Sequence, residues 1–138
     1  MAKQTWLTPI VNGDAAAFHL TTARGALVAT HLEPAFDGPS RRKGLLGRDG
    51  LEQGAAMLIA PCPSVHTFFM RFPIDVIFAD RNGRVLKVYP QLKRSRLAIA
   101  WGAFVAIEIP AGAASAAGVI AGDQLVLTPA RRHTDAPS

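Results

Sequence analysis

The sequence has one cysteine, Cys62, in 138 residues, so no intramolecular disulfide can staple it and a disulfide-scaffold fold is excluded. A long apolar run is missing too. Residues 54–70 lack formal charge but carry Pro61, Pro63 and His66, and residues 97–122 are interrupted by Glu108 and Pro110. A bilayer span needs about 20 mostly apolar residues with few breakers, so neither stretch qualifies. Met1-Ala2-Lys3-Gln4-Thr5-Trp6 holds one base with no apolar run behind it, and no secretory leader is expected there. The 12 glycines follow no period, which excludes a collagen-like chain, and no internal repeat or low-complexity linker is visible. Gly-x-Ser-x-Gly, Gly-x-x-x-x-Gly-Lys and His-Glu-x-x-His motifs are all absent. These absences, with a lone thiol that suits a reducing compartment, lead to the expectation of a cytoplasmic chain without membrane association.

What is present is enough apolar matter for a core. Apolar residues make up 49% and charged residues 18%, which fits one globular domain over 1–138 and not a disordered polyelectrolyte. Fifteen Lys and Arg stand against ten Asp and Glu, for a net charge of +5. Eleven of the fifteen are arginine, a count that genomic base composition alone can raise, so the charge is read first as solubility and encounter.

Along the chain, Phe18-His19-Leu20 and Ala26–Ala29 read as short strands around a Thr22–Gly25 turn. Ser40 is a suitable N-cap for a short helix over Arg41–Gly47, anchored by Leu45 and Leu46. Ala56–Ala60 is a continuous apolar run, as expected of a strand covered on both faces. Thr67–Met70 and Ile74–Ala79 follow as strands. Asn82-Gly83 then precedes the alternating Arg84–Tyr89, which predicts a β-hairpin with a primed turn. Phe104–Ile109 and Gln124–Leu127 complete the strands, and Ala113–Ala117 predicts one helical turn ended by Gly118. The count is about seven strands with one or two short helices: a mainly β, β-rich α+β domain of barrel-like or sandwich form. Its core covers about 18–128, and residues 129–138 are expected to be a polar, mobile tail.

From Arg42-Lys43-Gly44-Leu45-Leu46-Gly47-Arg48 onward the chain resembles domain-of-unknown-function family 192. The resemblance continues through Gly54–Ile59, Phe69-Met70-Arg71-Phe72-Pro73-Ile74-Asp75-Val76-Ile77-Phe78, Asp80–Val85 and Ile107-Glu108-Ile109-Pro110-Ala111-Gly112, and closes at Gly122-Asp123. Many relatives have tryptophan where this chain has Phe69, and leucine where it has Ile107. The resemblance implies a small β-rich fold and no established activity, so function has to be argued from the residues.

Two acids stand out because each interrupts an apolar strand. Asp75 lies within Phe72–Phe78 and Glu108 within Val105–Ile109. An unpaired buried charge is costly, so Asp75 is expected to have a partner, with Arg48 and Arg71 as candidates. On adjacent strands the two acids could form an acid/base pair; the simpler reading is that each is held by loop amides or an arginine and fixes the fold. Cys62 and His66 form a Cys-x-x-x-His pair that suits thiolate chemistry, although a small buried thiol is the more ordinary role. His19, His31 and His133 are scattered, so no metal is expected, and no cofactor signature is present. Arg41, Arg42, Lys43 and Arg48 surround the first helix, and Arg81, Arg84, Lys87, Lys93, Arg94 and Arg96 follow with no acid between them. Such stripes are usually solvated faces, and no RNA-recognition signature accompanies this one.

The leading expectation is a non-enzymatic ligand-binding or accessory domain. Its polar cleft would draw on Arg42, Arg48, His66, Met70, Arg71, Asp75 and Glu108 and take a small anionic or polar ligand. The alternative is a small hydrolase-like enzyme using His66 with Asp75 or Glu108. A third reading is weak nucleic-acid binding through the basic stripe, a partner that is not expected to bind tightly.

Overall fold

In the computed structural model, which describes residues 4–11 and 13–130, two strands are buried along their whole length: Ile74–Ala79 and Val105–Pro110. They lie together inside the molecule's largest sheet. In chain order the elements are α1 (Thr8–Val11), a 3-10 turn (Ala15–Ala17), β1 (Phe18–Thr22), β2 (Leu27–Ala29), β3 (His31–Ala35) and α2 (Gly38–Lys43). They continue with β4 (Ala55–Ile59), β5 (Ser64–His66), β6 (Ile74–Ala79), β7 (Val85–Leu92), β8 (Leu97–Ile99), β9 (Val105–Pro110), α3 (Ala113–Ala117) and β10 (Leu125–Pro129). The central sheet has the order β3-β4-β9-β6-β7, parallel at β3–β4 and antiparallel elsewhere.

Side chains alternate across a strand, so β6 and β9 feed two cores at once. Ile77, Ala79, Val105, Ile107 and Ile109 face one core, closed by the three-stranded sheet β10-β1-β2 through Leu20, Val28 and Leu125. Ile74, Val76, Phe78 and Ala106 face the other, closed by the two-stranded sheet β5-β8 through Val65 and Ala98. Ala56–Ala60 behaves as its composition predicts: Ala56, Leu58 and Ala60 go to the first core, Met57 and Ile59 to the second. The fold is therefore mainly β, a layered sandwich with three short α-helices among the described residues.

The small β5–β8 sheet is the wall of the candidate site, and three side chains fix it. Tyr89 on β7 donates its hydroxyl to the Ile99 carbonyl at 2.8 Å and accepts from the Ile99 amide at 3.2 Å. Its ring packs edge-on against Phe78 with centroids 5.9 Å apart. Thr67, wholly buried, accepts from the Arg96 amide at 2.8 Å and donates to the Lys93 carbonyl. Arg94 Nε donates to the Met70 carbonyl at 2.8 Å.

Several local expectations are corrected. Thr67–Met70 is not a strand. The strand is Ser64–His66, and the following residues turn through Phe69 at φ 66°, drawn against residues 93–96 by the Thr67 and Arg94 bonds. The first helix begins earlier, at Gly38, and its cap is Asp37, whose carboxylate accepts from the Ser40 amide at 2.7 Å. Pro39 in the first turn costs nothing there, since its missing N–H would have had no helical partner. In the turn between β6 and β7 only Gly83 has positive φ, at 87°, so the turn is not a primed one, which needs positive φ at its first central residue. Asp80 organises it by accepting from the Asn82 and Arg84 amides at 2.9 and 3.0 Å. Gly83 is required twice over, because a Cβ there would also lie 2.7 Å from the Leu125 carbonyl oxygen. Strands β3 and β8 and helix α1 carry no expectation from sequence. The polar tail lies, from residue 131 on, outside the described residues.

Candidate functional site

Beside the second core, α2 and the loop after it stand over β4, β5 and β9 and enclose a cavity of about 420 Å³. The last turn of α2 is wholly basic, Arg41-Arg42-Lys43, and all three line the opening. Arg41 bridges the cleft: Nε donates to the Asp37 carbonyl at 3.3 Å and Nη1 to the Pro61 carbonyl at 3.2 Å. Gly44 ends the helix at φ 46°, ψ −125°, and Leu45, 2% exposed, plugs the second core. The Gly44 backbone thereby closes over the site: a Cβ placed on it would lie 3.5 Å from Glu108 Oε1 and 3.8 Å from Ile59 Cδ1.

Glu108 is the inner polar group. It is 4% exposed, its cross-strand neighbours on the same face are Met57 and Val76, and its Oε1 has no hydrogen-bond partner among the described residues. Burial raises its carboxyl from 4.5 to about 7, and the positive charge of Arg48 offsets that only in part. Arg48 is itself committed elsewhere, to Glu33 at 2.8 Å. Cys62 lies on the same cavity and donates its thiol to the Ser64 carbonyl at 2.9 Å. Burial pushes that thiol up and the Glu108 charge adds to the shift, while the Ser64 backbone acting on the sulfur and the Arg41 charge oppose it. A thiol held in its neutral form is a poor nucleophile.

Of the residues expected to form the cleft, Arg42, His66, Met70 and Glu108 line this one cavity. His66 stacks on Phe68 with centroids 5.3 Å apart. Arg48 lies instead on a separate depression of about 270 Å³, shared with His31, Glu33 and Glu52. Arg71 is at the surface, paired with the exposed Asp49 at 2.7 Å. Asp75 is wholly buried on the opposite face of the sheet, where Oδ1 accepts from the Gln91 and Gly112 amides at 2.7 and 3.1 Å and Oδ2 from the Ala114 amide at 2.9 Å. The expected arginine partner is thus replaced by three backbone amides. With Asp75 and Glu108 on opposite faces, they form no acid/base pair, and His66 has no access to Asp75 through this cavity.

Arg41, Lys43 and Ser64 are cavity residues that sequence reasoning did not single out for the cleft. The signal for the first two was available: a run of three bases closing a six-residue helix at a glycine. The second basic group is largely engaged in the fold. Arg81 lies over the Phe104 ring at 4.4 Å, Lys87 over Tyr89 at 4.6 Å, and Arg84 donates to the Gly122 carbonyl at 2.9 Å. Among the described residues no three His, Cys, Asp or Glu side chains converge as metal ligands, and no helix is long and apolar enough to cross a membrane.

A family model described as "Uncharacterized ACR", DUF192, matches residues 19–127. No curated protein matches the chain. A crystal structure of a protein of unknown function from Novosphingobium aromaticivorans is similar with a TM-score of 0.69 and 23% identity, covering 79% of this chain and 82% of that one. One from Sinorhizobium meliloti, described as a candidate transcription regulator, is similar with a TM-score of 0.68 and 22% identity, covering 83% of this chain and 98% of that one. At these identities the likeness shows the fold alone.

Proposed function

Because the chain belongs to DUF192, a family of uncharacterised proteins, we propose a function from the cleft itself: this is a small ligand-binding protein that holds a polar organic molecule between α2 and the central sheet. The observation that carries the reading is the unpartnered, buried Glu108 carboxyl on a cavity rimmed by Arg41, Arg42 and Lys43. Leaving a buried polar group unpaired typically costs about 1–3 kcal/mol, and more when it is charged. A ligand that completes its hydrogen bonds would recover that cost. A cavity of about 420 Å³ also falls within the roughly 300–1,000 Å³ of small-molecule sites.

Binding without chemistry is favoured over the hydrolase reading because Asp75 is held by backbone amides on the other face of the sheet and Glu108 Oε1 has no hydrogen bond to His66 or any other group among the described residues. Nucleic acid is disfavoured because much of the basic stripe is engaged in the fold. The description of the Sinorhizobium protein as a regulator suits a chain that senses a small molecule. A lone thiol is in keeping with a reducing, cytoplasmic setting.

Saturation-transfer NMR with a panel of small organic acids and amino acids tests the reading. Transfer to panel members is expected with the wild-type chain and should vanish in Ser64→Trp, which fills the mouth of the cavity from an exposed strand position. No transfer from any member, or transfer unchanged by Ser64→Trp, contradicts it.

A further inference from the structure

The arrangement of charge within the cleft narrows the ligand class. Three cations stand on α2 at the opening, and a lone carboxyl, Glu108, lies beneath the Gly44 backbone. The same lining includes the apolar side chains of Leu45, Ile59 and Met70. Among the described residues no acid pairs with Arg41, Arg42 or Lys43, and no base pairs with Glu108. The cavity lining therefore carries charges of opposite sign that no ion pair joins, together with apolar surface.

We propose that the ligand is a zwitterion of the amino-acid type, its ammonium bound by Glu108, its carboxylate by Arg42 and Lys43, and its apolar side chain by Leu45 and Met70. This inference rests on the binding reading above and deepens it. A simple anion satisfies the opening but brings no donor for Glu108, and it is repelled whenever that carboxyl ionises. A simple cation satisfies Glu108 but must pass three positive charges to reach it. A zwitterion matches both ends, and charge-assisted hydrogen bonds of this kind are roughly twice as strong as neutral ones. An apolar side chain adds burial at about 25 cal/mol per Å². Charged ends fixed at both poles also discriminate, since a ligand lacking either end leaves a buried or crowded charge unpaired.

Calorimetry on the full chain at neutral pH tests this with three probes of one carbon skeleton. These are leucine, isocaproate, which lacks the ammonium, and isoamylamine, which lacks the carboxylate. Leucine is expected to bind at least tenfold more tightly than either analogue. Glu108→Gln is expected to weaken leucine at least tenfold while leaving isocaproate unchanged or improved. Isocaproate binding as tightly as leucine, or leucine affinity indifferent to Glu108→Gln, overturns the zwitterion and leaves the binding cleft standing. Failure of all three probes overturns the zwitterion as well. Failure of the whole saturation-transfer panel is what overturns the cleft. The analogue comparison needs only wild-type protein, so it holds even if the variant does not fold.

Discussion

Asp75 and Glu108 are one residue out of step on paired strands: β6–β9 register sets Val76 opposite Glu108 and Asp75 opposite Ile109. The pleat therefore sends the two carboxyl groups to opposite faces of the central sheet. Their surroundings diverge accordingly. Asp75 is held by three backbone amides, two at the start of α3 and one from Gln91 on β7, whereas Glu108 faces a cavity with an oxygen unbonded. Two acids that look alike in sequence thus have separate surroundings, one saturated by the backbone and one left, on the reading proposed above, for a ligand.

Asp75→Asn tests the first of these. The amide can keep the two bonds to Oδ1, but its NH2 group then meets the Ala114 N–H, donor against donor. A buried donor left unsatisfied costs about 1–3 kcal/mol, and the lost carboxylate bonds push the expected total towards the upper end. Urea melts should show this as a clear fall in midpoint. Asp49→Asn, at a position 89% exposed, should shift the midpoint hardly at all. Equal midpoints for Asp75→Asn and wild type would remove Asp75 from its structural role.

Glu108 carries the opposite expectation, with a defined pH window. Its carboxyl is raised from 4.5 to about 7, so the folded protein holds this proton more tightly than the unfolded chain does. The resulting stability is fully present below about 4.5, falls as pH rises to about 7, and is then flat; it amounts to about 3 kcal/mol. The charged or titratable groups around the same cavity are Arg41, Arg42 and Lys43 on α2, and Cys62 and His66 beside β5, with Arg48 acting from the separate depression. The informative quantity is the difference between wild type and Glu108→Gln, in which contributions from the other groups around the cavity cancel. The variant should lack the Glu108 slope and be the more stable protein in urea at mildly alkaline pH. A variant less stable than wild type there would mean that Glu108 has a partner in the fold.

For Cys62 the expectation is slow chemistry. Burial and the Glu108 charge both hold its thiol neutral, so reaction with a disulfide reagent at mildly alkaline pH should be severalfold slower than for free cysteine. Glu108→Gln should speed it by removing that charge. A wild-type rate above that of free cysteine would restore the nucleophile reading.

Much of this fold is legible in the sequence, and the parts that are not have identifiable causes. Ile74–Ala79 and Val105–Pro110 announce themselves by composition, because strands covered on both faces need apolar residues at every position except where an acid is specifically held. Strands β5 and β8 have three residues each, too few to display a period of two. Strand β3 contains Pro34, which argues against a strand until the sheet order shows β3 at an edge, where a missing donor is tolerated. Phe68, Phe69 and Met70 have strand composition, yet contacts from Thr67 and Arg94 to the chain 24–29 residues away bend them into a turn.

The site divides along the same line. Arg42, His66, Met70 and Glu108 are recognisable one at a time, as a base near a glycine, a histidine leading a strand, or an acid inside one. Their convergence on a single cavity depends on cross-strand register and on where α2 lies, neither of which any one segment encodes. Alternation within β6 correctly opposes Asp75 to Val76. Only the pairing of Val76 with Glu108 reveals that the two acids never meet.

An isotope-edited carbon NMR titration of the Glu108 side chain tests most directly whether this buried carboxyl is unpaired in the free protein and paired by a ligand. In the protein alone its midpoint should lie near 7, and saturating leucine should move it down, because a bound ammonium favours the carboxylate. A midpoint near the ordinary 4.5 without ligand would mean that Glu108 is already paired or solvated, and one that leucine leaves in place would mean that no ammonium binds there.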